Sequence, residues 1–290
     1  VPTQPLTSLD FRHLSIKDLS HCSDLSEDRG WPREEHKWGL LLSAGLGYGL
    51  DAPDGAGLAA CCVVTSYGTP GREPSLHAIG MVLVAARYAR QGLGRRLMAH
   101  VLRETHPVPV TLHATPNGQP LYEQLGFQVT GRSEMLLGNF IPDPGPADAS
   151  IRQAVAEDLP EILRLDHEVF GADRTSMLAR LPAFADHLLV AEAGGRLTGY
   201  LAAWPNGETH VVGPLVSQDS GTAQSLISAL GARTERPLRT DVDERHGKLL
   251  AWLKDHGLRT VATNAVMVKG AGELPGDWTR RFAPLTVAAG

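Results

Sequence analysis

The run Met81-Val-Leu-Val-Ala-Ala-Arg-Tyr-Ala-Arg-Gln-Gly-Leu-Gly-Arg-Arg-Leu-Met98 decides how the chain is read. Val82, Leu83 and Val84 have the composition of the end of a buried strand. Gln91-Gly92-Leu93-Gly94 then makes a turn whose glycines let the backbone curl with its N–H groups pointing inward. From Arg95 onward Leu97, Met98, Val101 and Leu102 recur at helical spacing on one face. A glycine turn that opens a helix aims unpaired N–H groups and the positive end of the helix dipole at one point, which suits a phosphate or diphosphate. Arg90, Arg95 and Arg96 add positive charge around it. Two common phosphate loops do not fit. A G-x-G-x-x-G fingerprint would need glycine where Leu97 stands, and no Lys-Ser/Thr pair follows the glycines as a P-loop requires. A plain strand–helix turn with solvated arginines would satisfy the same letters.

A second segment narrows the choice. His113-Ala-Thr-Pro-Asn-Gly-Gln-Pro-Leu-Tyr-Glu-Gln-Leu-Gly-Phe127 follows the strand-like Val108 to Leu112. Together the two segments resemble the GNAT superfamily of N-acetyltransferases, whose diphosphate motif is R/Q-x-x-G-x-G/A and whose later motif often ends L-Y-E-x-L-G-F. Leu121 to Phe127 matches the second motif at every fixed position, and the resemblance covers Phe11 to about Phe140. It implies that acetyl-CoA is the co-substrate, with Val82, Leu83 and Val84 pairing with the pantetheine arm like an added strand. It likewise implies that the backbone of Arg90, Gln91, Gly92, Leu93, Gly94 and Arg95 holds the diphosphate, and that Tyr122 protonates the departing thiolate. A phenol beside the sulfur has the right chemistry for that role. Ala89 stands where the family prefers Arg or Gln. Thr115 stands where many members carry a cofactor-contacting Asn, which leaves the nearby Asn117 as the candidate contact. For the general base no acidic residue offers itself on these strands. His77 and His113 flank them and compete with a water chain, each also readable as an ordinary strand-end histidine. The run Asp28 to Trp38 lies where the family's acceptor loop occurs, so its acidic residues and tryptophans could hold a cationic amine, or Trp31 and Trp38 could be core anchors.

The proline-rich run Ile141-Pro-Asp-Pro-Gly-Pro-Ala-Asp148 splits the chain nearly in half and reads as a linker. The halves repeat in order. Phe11 to Leu19 matches Ile151 to Leu159, with Ser15 and Asp18 forming a capping box. Strand-like stretches follow at Gly57 to Tyr67 and at Leu188 to Trp204, the second containing the hairpin turn Gly194-Gly195. The helices Leu121 to Leu125 and Leu249 to Lys254 both stop at a glycine, Gly126 and Gly257, as a left-handed cap requires. The second half resembles a degenerate GNAT repeat, like the C-terminal domain of YitH-type proteins. Gln218 to Ala223 satisfies the diphosphate motif, but Asp219 opposes an anion, and Leu253 stands at the position of Tyr122. This half is expected to be non-catalytic, its cleft lost, re-used or turned to acceptor binding. Asp166-His167-Glu168 with Asp173-Arg174 reads by default as a solvated charge run. The expected architecture is α+β, two tandem GNAT domains at 1–141 and 149–290, each a twisted mixed sheet flanked by helices.

Composition supports a core-forming two-domain protein: 290 residues, 42% hydrophobic and 20% charged, with 31 Gly and 20 Pro. Lys and Arg total 27 against 32 Asp and Glu, so the basic footprint of nucleic-acid binding is missing. The three cysteines, Cys22, Cys61 and Cys62, form no disulfide framework and favour a reducing cytoplasm. No stretch approaches the ~20 apolar residues of a membrane span, and Val1 to Phe11 lacks the pattern of a signal peptide. The 12 His and 3 Cys show no metal spacing, so no metal is expected. The expected function is acetyl transfer from acetyl-CoA to an amine or amino alcohol of a small molecule by direct attack, in a monomer built as a pseudo-dimer or in a homodimer. A non-catalytic acyl-CoA sensor and a phosphate-binding nucleotide enzyme are the rival readings.

Overall fold

A computed structural model of the chain describes residues 9–69, 71–142 and 150–290. The residues up to Ser8 and most of the proline-rich run, 143–148, lie outside those described. The first half runs β1 (Arg12–Leu14), α1 (Leu19–Asp28), α2 (Glu35–Ala44), β2 (Leu46–Asp51), β3 (Leu58–Tyr67), β4 (Leu76–Val84), α3 (Leu93–Thr105), β5 (Val110–Ala114), α4 (Gln119–Gln124) and β6 (Gln128–Gly138). The second repeats it as β7 (Ile151–Gln153), α5 (Leu159–Phe170), α6 (Thr175–Leu178), α7 (Leu181–Phe184), β8 (His187–Ala193), β9 (Arg196–Asn206), β10 (Thr209–Ser217), α8 (Ser220–Gly231), β11 (Leu238–Asp243), α9 (Gly247–Asp255) and β12 (Arg259–Lys269), then adds β13 (Arg281–Ala283).

The local signals act where the sequence puts them. Ser15 and Asp18 close their capping box, and each half anchors its first turn with an ion pair, Arg12–Asp18 at 2.7 Å and Arg152–Asp158 at 2.6 Å. Gly194 and Gly195 both take positive φ, 59° and 74°, as a primed hairpin turn needs. Gly126 at φ 86° and Gly257 at φ 95° end α4 and α9.

All strands join one mixed sheet in the order β1-β2-β3-β4-β5-β12-β6-β11-β10-β9-β8-β7, with β13 on β10. The last strand of the repeat in each half exchanges places with the other. β12, from the second half, pairs with β5 from Val266↔His113 to Lys269↔Val110, while β6, from the first half, pairs with β11 from Leu238↔Gly138 to Asp243↔Ser133. The two exchanged strands pair with each other at the centre. Helices α1, α2 and α5 cover one face over a core containing Trp38, Leu41, Phe170 and Trp204. On the other face α3 and α4 bury Leu97, Met98, Val101 and Tyr122 against the first half, and α8 and α9 bury Leu226, Leu230 and Leu253 against the second. Among the described residues no helix is long and apolar enough to cross a membrane, and no cluster of His, Cys, Asp and Glu could hold a metal ion.

Candidate functional site

β4 and β5 run parallel but pair only at His77↔Val110 and Ala78↔Thr111. Beyond that point they diverge, and Met81 at φ 53° kinks β4 opposite a register shift in β3. Leu83 and Val84 keep their partners on β3, Val82 falls within the register shift, and none of the three pairs on the β5 side, so one backbone edge faces an open wedge. Val82 and Val84 are half-buried and Leu83 is buried.

The chain leaves β4 through a short turn at Ala86 to Tyr88, passes Arg90 at φ 59° and Gly92 at φ 79°, and enters α3. The N–H groups of Arg90, Gln91, Gly92, Leu93, Gly94 and Arg95 donate to no described carbonyl, and Gly92 caps α3 without a side chain. A Cβ on Gly92 would meet nothing within 4 Å, so the approach to these amides is open. Arg90 and Arg95 are exposed at the rim, and Arg95 hydrogen-bonds Gln124 on α4. Arg96 turns away to lie over Phe11 at 4.9 Å.

Tyr122 sits on α4 with its ring edge-on to Phe127 at 5.9 Å. Its hydroxyl makes no hydrogen bond to a described residue. Burial pushes the phenol well above its ordinary range, so it is protonated at neutral pH. Asn117 is exposed in the turn before α4. The cysteines are free and buried. Cys22 beside it, and burial, raise the Cys61 thiol, and burial raises that of Cys62. Neither is a ready thiolate.

The two histidines part company. His77 lies where β4 and β5 are still paired, and its Nδ1 is 2.8 Å from Ser66 Oγ. His113 lies on the diverging part of β5, faces the side away from Tyr122, and is held down to about 4 by burial and by Arg281. In the run Asp28 to Trp38, Trp38 is a core anchor that donates to Ser26 Oγ at 3.0 Å, while Trp31 is exposed. The run Asp166 to Arg174 corrects its default reading. Asp166 is 1% exposed and Arg174 3%, joined by two hydrogen bonds of 2.6 and 3.0 Å over Phe170. They are buried because α5 packs under the chain's last residues, where Arg174 also donates to Gly290 O at 2.7 Å.

The second half has the same wedge, filled from within. β10 and β11 pair from His210↔Leu238 to Val212↔Thr240, and then β13 enters, pairing Leu215↔Ala283 and Val216↔Arg281 on β10. The opening of α8 is closed as well: Asp219 caps it, accepting from Thr222 N at 2.8 Å. Leu253, at the place of Tyr122, is buried. The sequence reading missed β13, Trp278 and Arg281. Their signal was a Trp and two consecutive arginines set before the apolar run Phe282 to Ala289.

Comparison with known proteins agrees with this geometry. Two family models, each an acetyltransferase (GNAT) domain, match residues 65–137 and 162–283. The uncharacterized N-acetyltransferase YitH of Bacillus subtilis (strain 168) is 29% identical over 240 residues, 81% of this chain and 83% of that protein. A protein of Pyrococcus horikoshii assigned as an acetyltransferase superposes with a TM-score of 0.81 at 17% identity, over 100% of this chain and 99% of its own. A tandem GNAT protein of the clavulanic acid biosynthesis pathway does so with a TM-score of 0.64 at 14% identity, over 92% of this chain and 100% of its own. The chain therefore belongs to the GNAT acetyltransferases, as a tandem of two GNAT domains similar to YitH.

Proposed function

We propose that the first half, residues 1–141, transfers an acetyl group from acetyl-CoA to the amine of a small molecule by direct attack. The second half, residues 149–290, supplies the wall of the acceptor side and binds no cofactor of its own. One observation carries this reading: the unpaired β4 edge at Val82 to Val84 leads straight into the bare amides of Arg90 to Arg95. An extended pantetheine arm can add to such an edge as a strand does, and the diphosphate is then met by a helix N-terminus without a competing side-chain cap. This reading assigns a cofactor contact to Asn117, which is exposed in the turn after β5.

In the reaction the amine nitrogen attacks the thioester carbonyl, the carbon–sulfur bond breaks, and Tyr122 gives its proton to the departing thiolate. Cys61 and Cys62 lie buried with raised pKa values, which supports attack without an acyl-cysteine intermediate. Three buried free thiols fit a reducing cytoplasm. The exchange of β6 and β12 makes the chain a pseudo-dimer that suits a monomer.

Titration calorimetry with acetyl-CoA tests the site. Native protein should bind, and Gly92→Asp should abolish binding, since a carboxylate among the amides repels the diphosphate and φ 79° strains a side chain. Equal affinity in the two proteins would remove the diphosphate site.

A further inference from the structure

On the face opposite Tyr122 a partly open pocket with a free volume of about 20 Å³ lies against β5, lined in part by His113, Ser133, Asp243, Trp278 and Arg281. That is room for about one water or for the head of a small polar group. Trp278 divides it from an outer groove of about 340 Å³ that includes Thr130, Arg245 and Glu273.

His113 stands two residues beyond Thr111, the last residue of β5 to pair with β4, so it belongs to the wall of the wedge. Val110, Leu112 and Ala114 pack in the same layer as Tyr122, and strand alternation turns His113 to the other face. Its Nδ1 is 3.4 Å from Ser133 Oγ. With Nδ1–H donating to that hydroxyl, Nε2 keeps its lone pair. Burial and the Arg281 charge keep the ring neutral at pH 7.

Arg281 is 6% exposed, between the Phe170 ring at 4.1 Å and the Trp278 ring at 4.4 Å, and its Nη1 has no hydrogen-bond partner. The neighbouring carboxylates are engaged elsewhere. Asp243 accepts from Arg245 N and Arg245 Nη1, both at 2.9 Å, and Asp166 is held by Arg174 and Tyr200. A buried guanidinium with an unused donor, set beside a neutral imidazole on the acceptor face, lacks a planar anion.

Resting on the acetyl-transfer reading above, we propose that the acceptor is an amine that bears a carboxylate, as an amino acid does, with Arg281 binding the carboxylate and His113 taking the proton of the attacking amine. The nitrogen–carbon bond forms as the carbon–sulfur bond breaks. One proton passes from nitrogen to His113 Nε2 and on to solvent, the sulfur takes one from Tyr122, and solvent returns a proton to the phenol, so an amide and free CoA thiol result. The carboxylate head takes the small space at Arg281, and the rest of the acceptor extends past Trp278 toward the outer groove.

The test measures thiol release at saturating acetyl-CoA for the twenty standard amino acids, each beside its carboxamide and its decarboxylated amine. At least one acid should exceed both neutral analogues in kcat/KM by roughly 10- to 100-fold, the scale of one charge-assisted pair. Arg281→Gln should raise KM for that acid and bring the ratio near one. Arg281→Lys, which keeps the charge, should retain part of the preference, and melting curves show that both variants fold. His113→Gln should lower kcat about tenfold or more with KM little changed. Equal use of neutral analogues, no acetylation in the panel although calorimetry shows acetyl-CoA bound, or an unaltered ratio in folded Arg281→Gln overturns this inference alone. Failure of the native protein to bind acetyl-CoA overturns the acetyl-transfer reading itself.

Discussion

Tyr122 and Leu253 occupy matching places on α4 and α9, and only the first carries a hydroxyl, the group to which the proposed mechanism assigns proton donation. Because the Tyr122 hydroxyl holds no described partner, Tyr122→Phe leaves the contact with Phe127 in place. Turnover should fall about tenfold or more while acetyl-CoA affinity in calorimetry stays unchanged; an unaltered kcat would remove Tyr122 from the mechanism. His113 has a matching residue too. Superposing the first pairs of each wedge, His77↔Val110 and His210↔Leu238, sets Asp241 at its place. Burial drives the two in opposite senses, His113 down to about 4 and Asp241 up to about 6. For His113, with Arg281, Asp243 and Ser133 facing it, the unfolded chain binds a proton near pH 6.5 that the native state refuses until about 4. Stability from this group is therefore full above pH 6.5 and lost as pH falls toward 4, by about 3 kcal/mol. Melting temperatures at pH 7 and pH 4.5 should show a smaller acid loss in His113→Gln than in the native protein. Equal losses would mean that His113 titrates alike in the folded and unfolded chains. Tyr122 could be read from its motif because the motif is local. The facing of His113 could not, because it depends on where β4 leaves β5.

At the scale of elements, α3 and α8 show how one motif serves two ends. Both follow a strand of a diverging parallel pair, and both begin near a glycine turn. Gly92 leaves the first N-terminus open, whereas Asp219 places a carboxylate of the chain itself where a diphosphate would lie. β13 then completes the closure by pairing with β10 in the second wedge, with Pro284 O so near Gly213 that a Cβ there would meet it at 1.9 Å. Calorimetric titration with acetyl-CoA should accordingly give one site per chain, and Asp219→Ala should leave that stoichiometry unchanged, since β13 still fills the wedge. Two equivalent sites would contradict the closure. Asp219 was visible in the sequence as a charge that opposes an anion, but its cap and β13 were not, since three residues carry no periodicity of their own.

The whole molecule is bound together by its exchanged strands. β6 lies between β12 and β11, so each half relies on a strand encoded in the other to cover its sheet edge. A buried ion-paired group adds to the joint, with Glu34 of the first half taking Arg239 Nη1 at 3.2 Å and Asn206 Nδ2 at 3.0 Å from the second. Unfolding in urea, followed by circular dichroism and by tryptophan fluorescence, should give one coincident transition. Residues 1–141 produced alone should show no cooperative transition, and co-production with residues 149–290 should restore it. An independently folding first half would mean that the exchange is dispensable.

By itself the sequence determined the repeat, the caps and hairpin turn, the open N-terminus of α3 and the motif around Tyr122, because each rests on neighbours within a few turns of chain. It also marked the second half as the poorer anion site through Asp219. Only the tertiary structure decided which strand stands beside β5, what fills the second wedge, that Asp166 and Arg174 are a buried pair, and that His113 and Arg281 share one cavity. Those outcomes turn on residues far apart in the chain, such as His113 with Arg281, Leu215 with Ala283, and Arg174 with Gly290. Local preference and hydrophobic period carry no information about such partners, because what selects them is the burial of whole elements against each other.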